Sequence, residues 1–133
     1  MSGERKTIGG AAPGRIGDAL VREVMRALGA LHGVTIWRNA VMSAVTKSGQ
    51  QVLTGLGGKG APDLIAEVQV GSVSAMVWLE CKAGAGELNA DQVRWHEAAK
   101  LTGRHVFVVR SAQDALDAVC EVRAAAACGG MRA

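Results

Sequence analysis

The chain has 133 residues, enough for one domain with a real core and too few for two. Its net charge of +3 and pI near 9.0 are mildly basic, which suits nucleic acid without identifying it. Cys81, Cys120 and Cys128 are odd in number and lack metal-site spacing, which excludes a disulfide scaffold and a zinc–cysteine motif.

Residues 1–15 are rich in Gly, Ala and polar types and read as a mobile arm whose Arg5, Lys6 and Arg15 can touch phosphates or stay solvated. They lack the apolar segment of a signal peptide. No 18-residue apolar run follows, so the expectation is a cytoplasmic protein with no membrane partner. One domain is expected over 16–127. Ile16, Leu20, Val21, Val24 and Leu28 form a helical stripe over 16–29, stopped by Gly29. Val34–Trp37 is a short β-branched strand, 39–50 is ambiguous, and Gln51–Thr54 is a further strand. Asp63–Val70 and Ser74–Lys82 read as strands joined by a turn at Gly71-Ser72. Asn89-Ala90-Asp91-Gln92 is a capping box opening a helix over 90–102, ended by Gly103. His105–Val109 is a buried-type strand. Ser111–Asp114 opens a last helix over 112–126, and 128–133 reads as a frayed tail. The fold expected is α/β, a mixed β-sheet flanked by helices, with strand 76–82, helix 90–102 and strand 105–109 as a βαβ crossover.

The chemistry concentrates around Pro62-Asp63 and Glu80-Cys81-Lys82. On a strand, Val77, Leu79 and Cys81 face one way and Trp78, Glu80 and Lys82 the other. If the two strands pair as a hairpin, Asp63 approaches Glu80 across the ladder. Two carboxylates and the Cys81 backbone carbonyl are hard oxygen donors suited to Mg²⁺ or Mn²⁺. Lys82 beside them can stabilise charge on a phosphate or orient a nucleophile. A surface hairpin with an ordinary Glu–Lys pair is the plain alternative. The glycine-dense run Gly55–Ala61 before Asp63 suits a close backbone approach to a ligand, and Lys59 within it is a phosphate-seeking charge. Arg38 can present its guanidinium to a phosphate or to water. Gln92 can cap its helix or reach the site beside Lys82. His96, next to Trp95, reads as filler rather than a base.

In order, Gly60-Ala61-Pro62-Asp63-Leu64-Ile65, Trp78-Leu79-Glu80-Cys81-Lys82-Ala83-Gly84, Leu88, Gln92 and Trp95 resemble the virus-type replication-repair nuclease domain of the PD-(D/E)XK nuclease superfamily. Ile36–Asn39 and Gly103–Ser111 extend the resemblance over about residues 16–120, in the manner of small phage and bacterial members. The resemblance implies a restriction-endonuclease-like fold and a Mg²⁺- or Mn²⁺-dependent DNA endonuclease, selective for branched or junction DNA. Asp63, Glu80 and Lys82 match its catalytic positions and Gln92 its glutamine. Many members add a first-helix glutamate to the metal site; here Asp18 or Glu23 answers to it. Small members often act as homodimers, and the three tryptophans and helix 112–126 suggest a face to share. Activity would then lie in the cytoplasm, or the host cytoplasm if the chain is phage-encoded. The competing readings are a DNA-binding protein on a nuclease fold with weak or no cleavage, and a phosphate-ligand binder built on the glycine loop. The loop lacks the G-x-x-x-x-G-K-[ST] pattern, so the last ranks lowest.

Overall fold

The computed structural model describes residues 16–132, with side chains from 17 to 128; the expected arm, including Arg5, Lys6 and Arg15, lies outside the described residues. The element order is α1 (Ile16–Gly29), β1 (Val34–Arg38), β2 (Met42–Val45), β3 (Gln51–Thr54), β4 (Leu64–Val70), β5 (Val73–Cys81), α2 (Ala90–Leu101), β6 (His105–Val109) and α3 (Ala112–Arg132). Four strands form a mixed sheet in the order β1-β4-β5-β6. β1, β4 and β5 pair antiparallel, and β6 lies parallel to β5 after the α2 connection.

The alternation read from the β5 sequence sorts its side chains into two cores. Val77, Leu79 and Cys81 join Leu64, Ala66 and Val68 of β4 in a core covered by α1 and α3. The α1 stripe contributes Leu20, Val21, Val24 and Leu28, and α3 contributes Ala115, Ala118, Val119 and Val122. Trp78 faces the other way, into a smaller core with Ile65, Val106 and Ala99 of α2, flanked by Trp37, Ala61 and Trp95. Burying an aliphatic side chain of this size contributes about 1.5–3 kcal/mol. The sheet is therefore held from both faces.

Three expectations change. First, the ambiguous stretch 39–50 contains β2, which pairs with β3 in a separate two-stranded hairpin whose residues are all exposed. Such a ribbon is marginal by itself. It is held at its base, where the Thr54 hydroxyl donates toward the Ala40 and Met42 carbonyls, each at 3.3 Å. Second, the tryptophans and helix 112–126 do not offer a free face: Trp78 is buried, Trp37 and Trp95 pack on its cluster, and the apolar residues of α3 meet the sheet. The case for a shared dimer face therefore loses these residues. Third, α3 continues in helical conformation to Arg132, through the expected tail, because Ala124–Ala127 has high helix propensity. The α3 cap is a variant of the expected box. The Asp114 amide donates to the Ser111 hydroxyl, while the Asp114 carboxylate accepts from the Arg110 amide instead of the N-cap amide.

The glycine-dense run packs against protein. Gly57 sits so that a Cβ would press on Ala61, Trp78 and Trp95, and its carbonyl accepts the Trp95 indole N–H at 2.7 Å. Gly60 has φ of +88°, and a Cβ there would collide with the Asp91 carbonyl at the start of α2. Only glycine meets both demands. Gly60→Ala should therefore destabilise the chain by about 2 kcal/mol or more in urea unfolding, well above the cost at an open glycine such as Gly58. Equal effects at the two positions would reject the packing account.

Candidate active site

The site lies where β4 begins and β5 ends. Leu64 faces Leu79 in the antiparallel register, so one further step sets Asp63 opposite Glu80. Both belong to the sheet face that α2 covers, since Ile65 and Trp78, two residues away on their strands, lie on it. Asp63 is held from two sides. Its Oδ2 accepts the Cys81 amide at 3.0 Å, and its backbone carbonyl accepts the Asn39 amide at 2.7 Å.

Asn39 carries a second duty that the sequence reading did not assign. Its buried amide donates to the Leu56 and Pro62 carbonyls at 2.8 and 3.1 Å, and its Oδ1 accepts the Leu56 amide at 2.8 Å. It staples both ends of the glycine run to the end of β1 and holds the residue before Asp63. A polar residue closing a strand was the available signal; its partners lie 17 and 23 residues away, beyond any local pattern.

Glu80 does not lie on a surface hairpin, the plain alternative. It is instead 2% exposed. Its Oε2 accepts the Gln92 side-chain N–H at 3.2 Å, and its Oε1 is buried without a partner among the described residues. Burial, then the charge of Asp63, raises its pKa to about 9, against the lowering influence of Lys82. The Cys81 thiol, buried on the opposite face, is pushed up to about 12 by burial and then by the Asp63 and Glu80 charges. Lys82 is half-buried just past the strand, and its amide continues the β6 pairing by donating to the Val109 carbonyl at 3.1 Å.

Gln92 caps its helix and also reaches Glu80. Asn89 Oδ1 accepts the Gln92 amide at 2.9 Å, and Gln92 Oε1 accepts the Asn89 amide at 2.9 Å, completing the capping box. With its oxygen committed to the cap, the side-chain NH₂ is aimed at Glu80.

Other expected site residues lie elsewhere. Asp18 pairs with Arg22 and, at 3.1 Å, with Arg38, and the Arg38 hydrogen bond leads in holding its carboxyl below the usual range. Arg38 is thus joined to α1, although 43% of its side chain remains exposed. Glu23 lies exposed on α1. Lys59 reaches Asp91 at 3.6 Å from an exposed position. The constellation brought together is therefore Asp63, Glu80, Cys81, Lys82 and Gln92. Among the described residues no group of three or more His, Cys, Asp or Glu side chains is arranged to hold a metal; the acids here number two. No family model, no curated protein and no solved structure matches this chain.

Two acids facing each other across the ladder fit a hard divalent cation: burial and the Asp63 charge oppose ionisation of Glu80, and one of its buried oxygens lacks a donor. In the metal-free chain Glu80 binds a proton that the unfolded chain, near the ordinary value of 4.5, has already lost. The folded state therefore holds more protons between these values. The contribution of Glu80 to stability is therefore fully present below about 4.5 and is lost as pH rises through about 9. The melting temperature in EDTA should fall between about pH 6 and 9.5, and Glu80→Gln should flatten that slope. Parallel slopes for the two proteins would show that Glu80 is not the titrating group. Asn39→Ala removes one buried and two part-buried hydrogen bonds to the backbone and should cost about 1–3 kcal/mol in chemical denaturation. A loss under about 0.5 kcal/mol would mean that the loop is held by other contacts.

Proposed function

We propose that this chain is a metal-dependent DNA endonuclease of the PD-(D/E)XK kind, with a restriction-endonuclease-like fold and a resemblance to the virus-type replication-repair nuclease domain. The observation that carries the reading is the pairing of half-buried Asp63 with buried Glu80 at one end of the β4–β5 ladder, with Lys82 immediately after it. A purely structural hairpin gains nothing from two acids that raise each other's cost. A cation-binding hairpin needs them.

Asp63, Glu80 and the Cys81 carbonyl would hold Mg²⁺ or Mn²⁺, which when bound supplies charge stabilisation for a phosphodiester and acidifies water. The chain's own residues do the rest. The Cys81 amide orients the Asp63 carboxylate, and Gln92 orients that of Glu80. Lys82 brings a positive charge to the same end of β5, where it can offset negative charge developing on the phosphate and help align the attacking water. Arg38 and Lys59 supply exposed positive charge for the DNA backbone, each from a side chain that also pairs with an acid. Branched or junction DNA is the preferred substrate on this reading. A two-fold pair of chains would set two sites on opposite strands, whereas a single chain would nick. No helix among the described residues is long and apolar enough to cross a membrane. The second reading, a DNA binder that does not cut, takes support from there being no third acid beside Asp63 and Glu80 among the described residues.

Incubation with plasmid and four-way-junction DNA separates the two. Cleavage should appear with Mg²⁺ or Mn²⁺ and vanish in EDTA. Asp63→Ala and Glu80→Gln should each lower it by about 10³-fold or more, with DNA binding retained. Lys82→Ala should lower kcat by about 10²-fold with little change in metal affinity. Cleavage that persists in EDTA, or in either acid variant, would refute the site; binding without any cutting would establish the second reading.

A further inference from the structure

Every residue of the β2–β3 ribbon is exposed, yet its side chains are not those of a solvated ribbon. Cross-strand partners share a face, so Met42 and Val52 line one side and Val45 and Leu53 the other. All four are exposed, Val45 at 65% and Leu53 at 56%. An antiparallel pair that rests on a partner with one face carries polar residues on the other. An element contacted on both faces carries apolar residues on both, as this one does.

The ribbon is closed at both ends. At its tip the Thr46 amide donates to the Gln50 carbonyl at 2.8 Å, the Gln50 amide donates to the Thr46 hydroxyl at 3.0 Å, and Gly49 turns with φ of +91°. At its root a Cβ on Gly55 would collide with the Ala40 carbonyl, so the two legs leave no room between them. Asn39, just before β2, binds Leu56, just after β3, and its backbone amide donates to the Asp63 carbonyl. The ribbon is thus rooted on the residue that begins the candidate site. Its strands of four residues, at about 3.3 Å each, are about 13 Å long.

Charge narrows what the ribbon meets. Residues 39–62 contain no acid and two lysines. Lys59 faces Asp91 at 3.6 Å, whereas Lys47, exposed at the tip, makes no ion pair among the described residues. An element apolar on two faces, basic at its tip and free of negative charge suits a polyanion that also offers apolar surfaces. Base pairs parted at a branch point offer two flat faces that accept aliphatic side chains between them, flanked by phosphates. A second copy of the chain would need one face of the ribbon and would draw nothing from its lack of acids.

We propose that the β2–β3 ribbon is a wedge for the branch point of branched DNA. Val45 and Leu53 pack on one parted base step, Met42 and Val52 on the other, and Lys47 meets a backbone phosphate. The inference rests on the DNA reading above and supplies the part of the chain that selects branched substrates. The root at Asn39 then holds the branch at a fixed, short distance from Asp63.

Fluorescence anisotropy in Ca²⁺ tests it, with a four-way junction and a linear duplex of the same arm sequence. The double variant Val45→Ser, Leu53→Ser changes only exposed side chains, so it should fold, as its melting curve will show. It should lose about 10-fold or more in junction affinity and stay within about 2-fold of the wild type on the duplex. Lys47→Gln should weaken both DNAs alike and lower the slope of log affinity against log salt by about 1. A 2-aminopurine placed at the branch should brighten on binding the wild type and stay dim with the double variant. Unchanged junction affinity, equal losses on both DNAs, or no brightening with the wild type would each overturn the proposal. Sedimentation tests the rival occupant: a wild-type dimer that the double variant converts to monomer would assign the ribbon to a second copy and overturn the wedge. Ribbon-dependent junction binding without cutting by any cation would refute the nuclease reading and leave the wedge standing. Metal-dependent junction cleavage and binding indifferent to the double variant would do the reverse.

Discussion

The register between β4 and β5 is the constraint from which the candidate site follows. One residue of slip would move Glu80 to the α1–α3 face and replace it opposite Asp63 with an apolar neighbour. The slip is prevented by apolar side chains on both faces of both strands. Leu64, Val77 and Leu79 face one core and Ile65 and Trp78 the other, and none tolerates exchange of faces. The energy that holds two opposed acids together is thus hydrophobic and lies a few residues away from them. A carboxyl held at about 9 is a local cost that the rest of the sheet absorbs.

A second layer of support comes from loop-to-helix contacts. Asn39 closes the glycine run at its base, the Trp95 indole grips it at Gly57, and Gly60 allows it to lie on the first turn of α2. Trp95 also stacks at 4.9 Å from Trp78, and the Arg104 guanidinium lies over both rings. The segment before Asp63 and the helix that carries Gln92 are therefore one packed unit. A change in the loop is felt at Glu80 through α2 as well as at Asp63 through the chain. The β2–β3 ribbon stands apart from this unit, leaving Val45, Leu53 and Leu56 exposed beside the loop.

Much of the frame was legible because local rules carried it. The α1 stripe, the β4–β5 turn and the Asn89–Gln92 capping box all follow from periodicity or turn chemistry within a few residues. The β2 strand was not legible: its pattern, Met-Ser-Ala-Val, has no partner except β3 and buries nothing to reveal a face. The glycine run was read as an approach to ligand because glycine signals a close contact without naming what is contacted. The tryptophans raised the same ambiguity, and packing beneath α2 resolved it. Asp18 answered to an expected acid by its place on the helix, yet two arginines from different distances in sequence claim its carboxylate.

The sequence by itself determined the order of the elements other than β2, the alternation that puts Glu80 and Trp78 on one face, and the presence of two acids and a lysine at the ends of β4 and β5. These are properties of a few consecutive residues, and short-range sterics and hydrophobic period decide them. Only the tertiary structure decided that Glu80 is buried, that Gln92 caps its helix and contacts Glu80 at once, that Asn39 holds the loop before Asp63, and that His96 keeps a buried nitrogen without a partner among the described residues. Burial and partnership depend on segments brought together from 12 to 23 residues apart, and that convergence is set by the packing of whole faces.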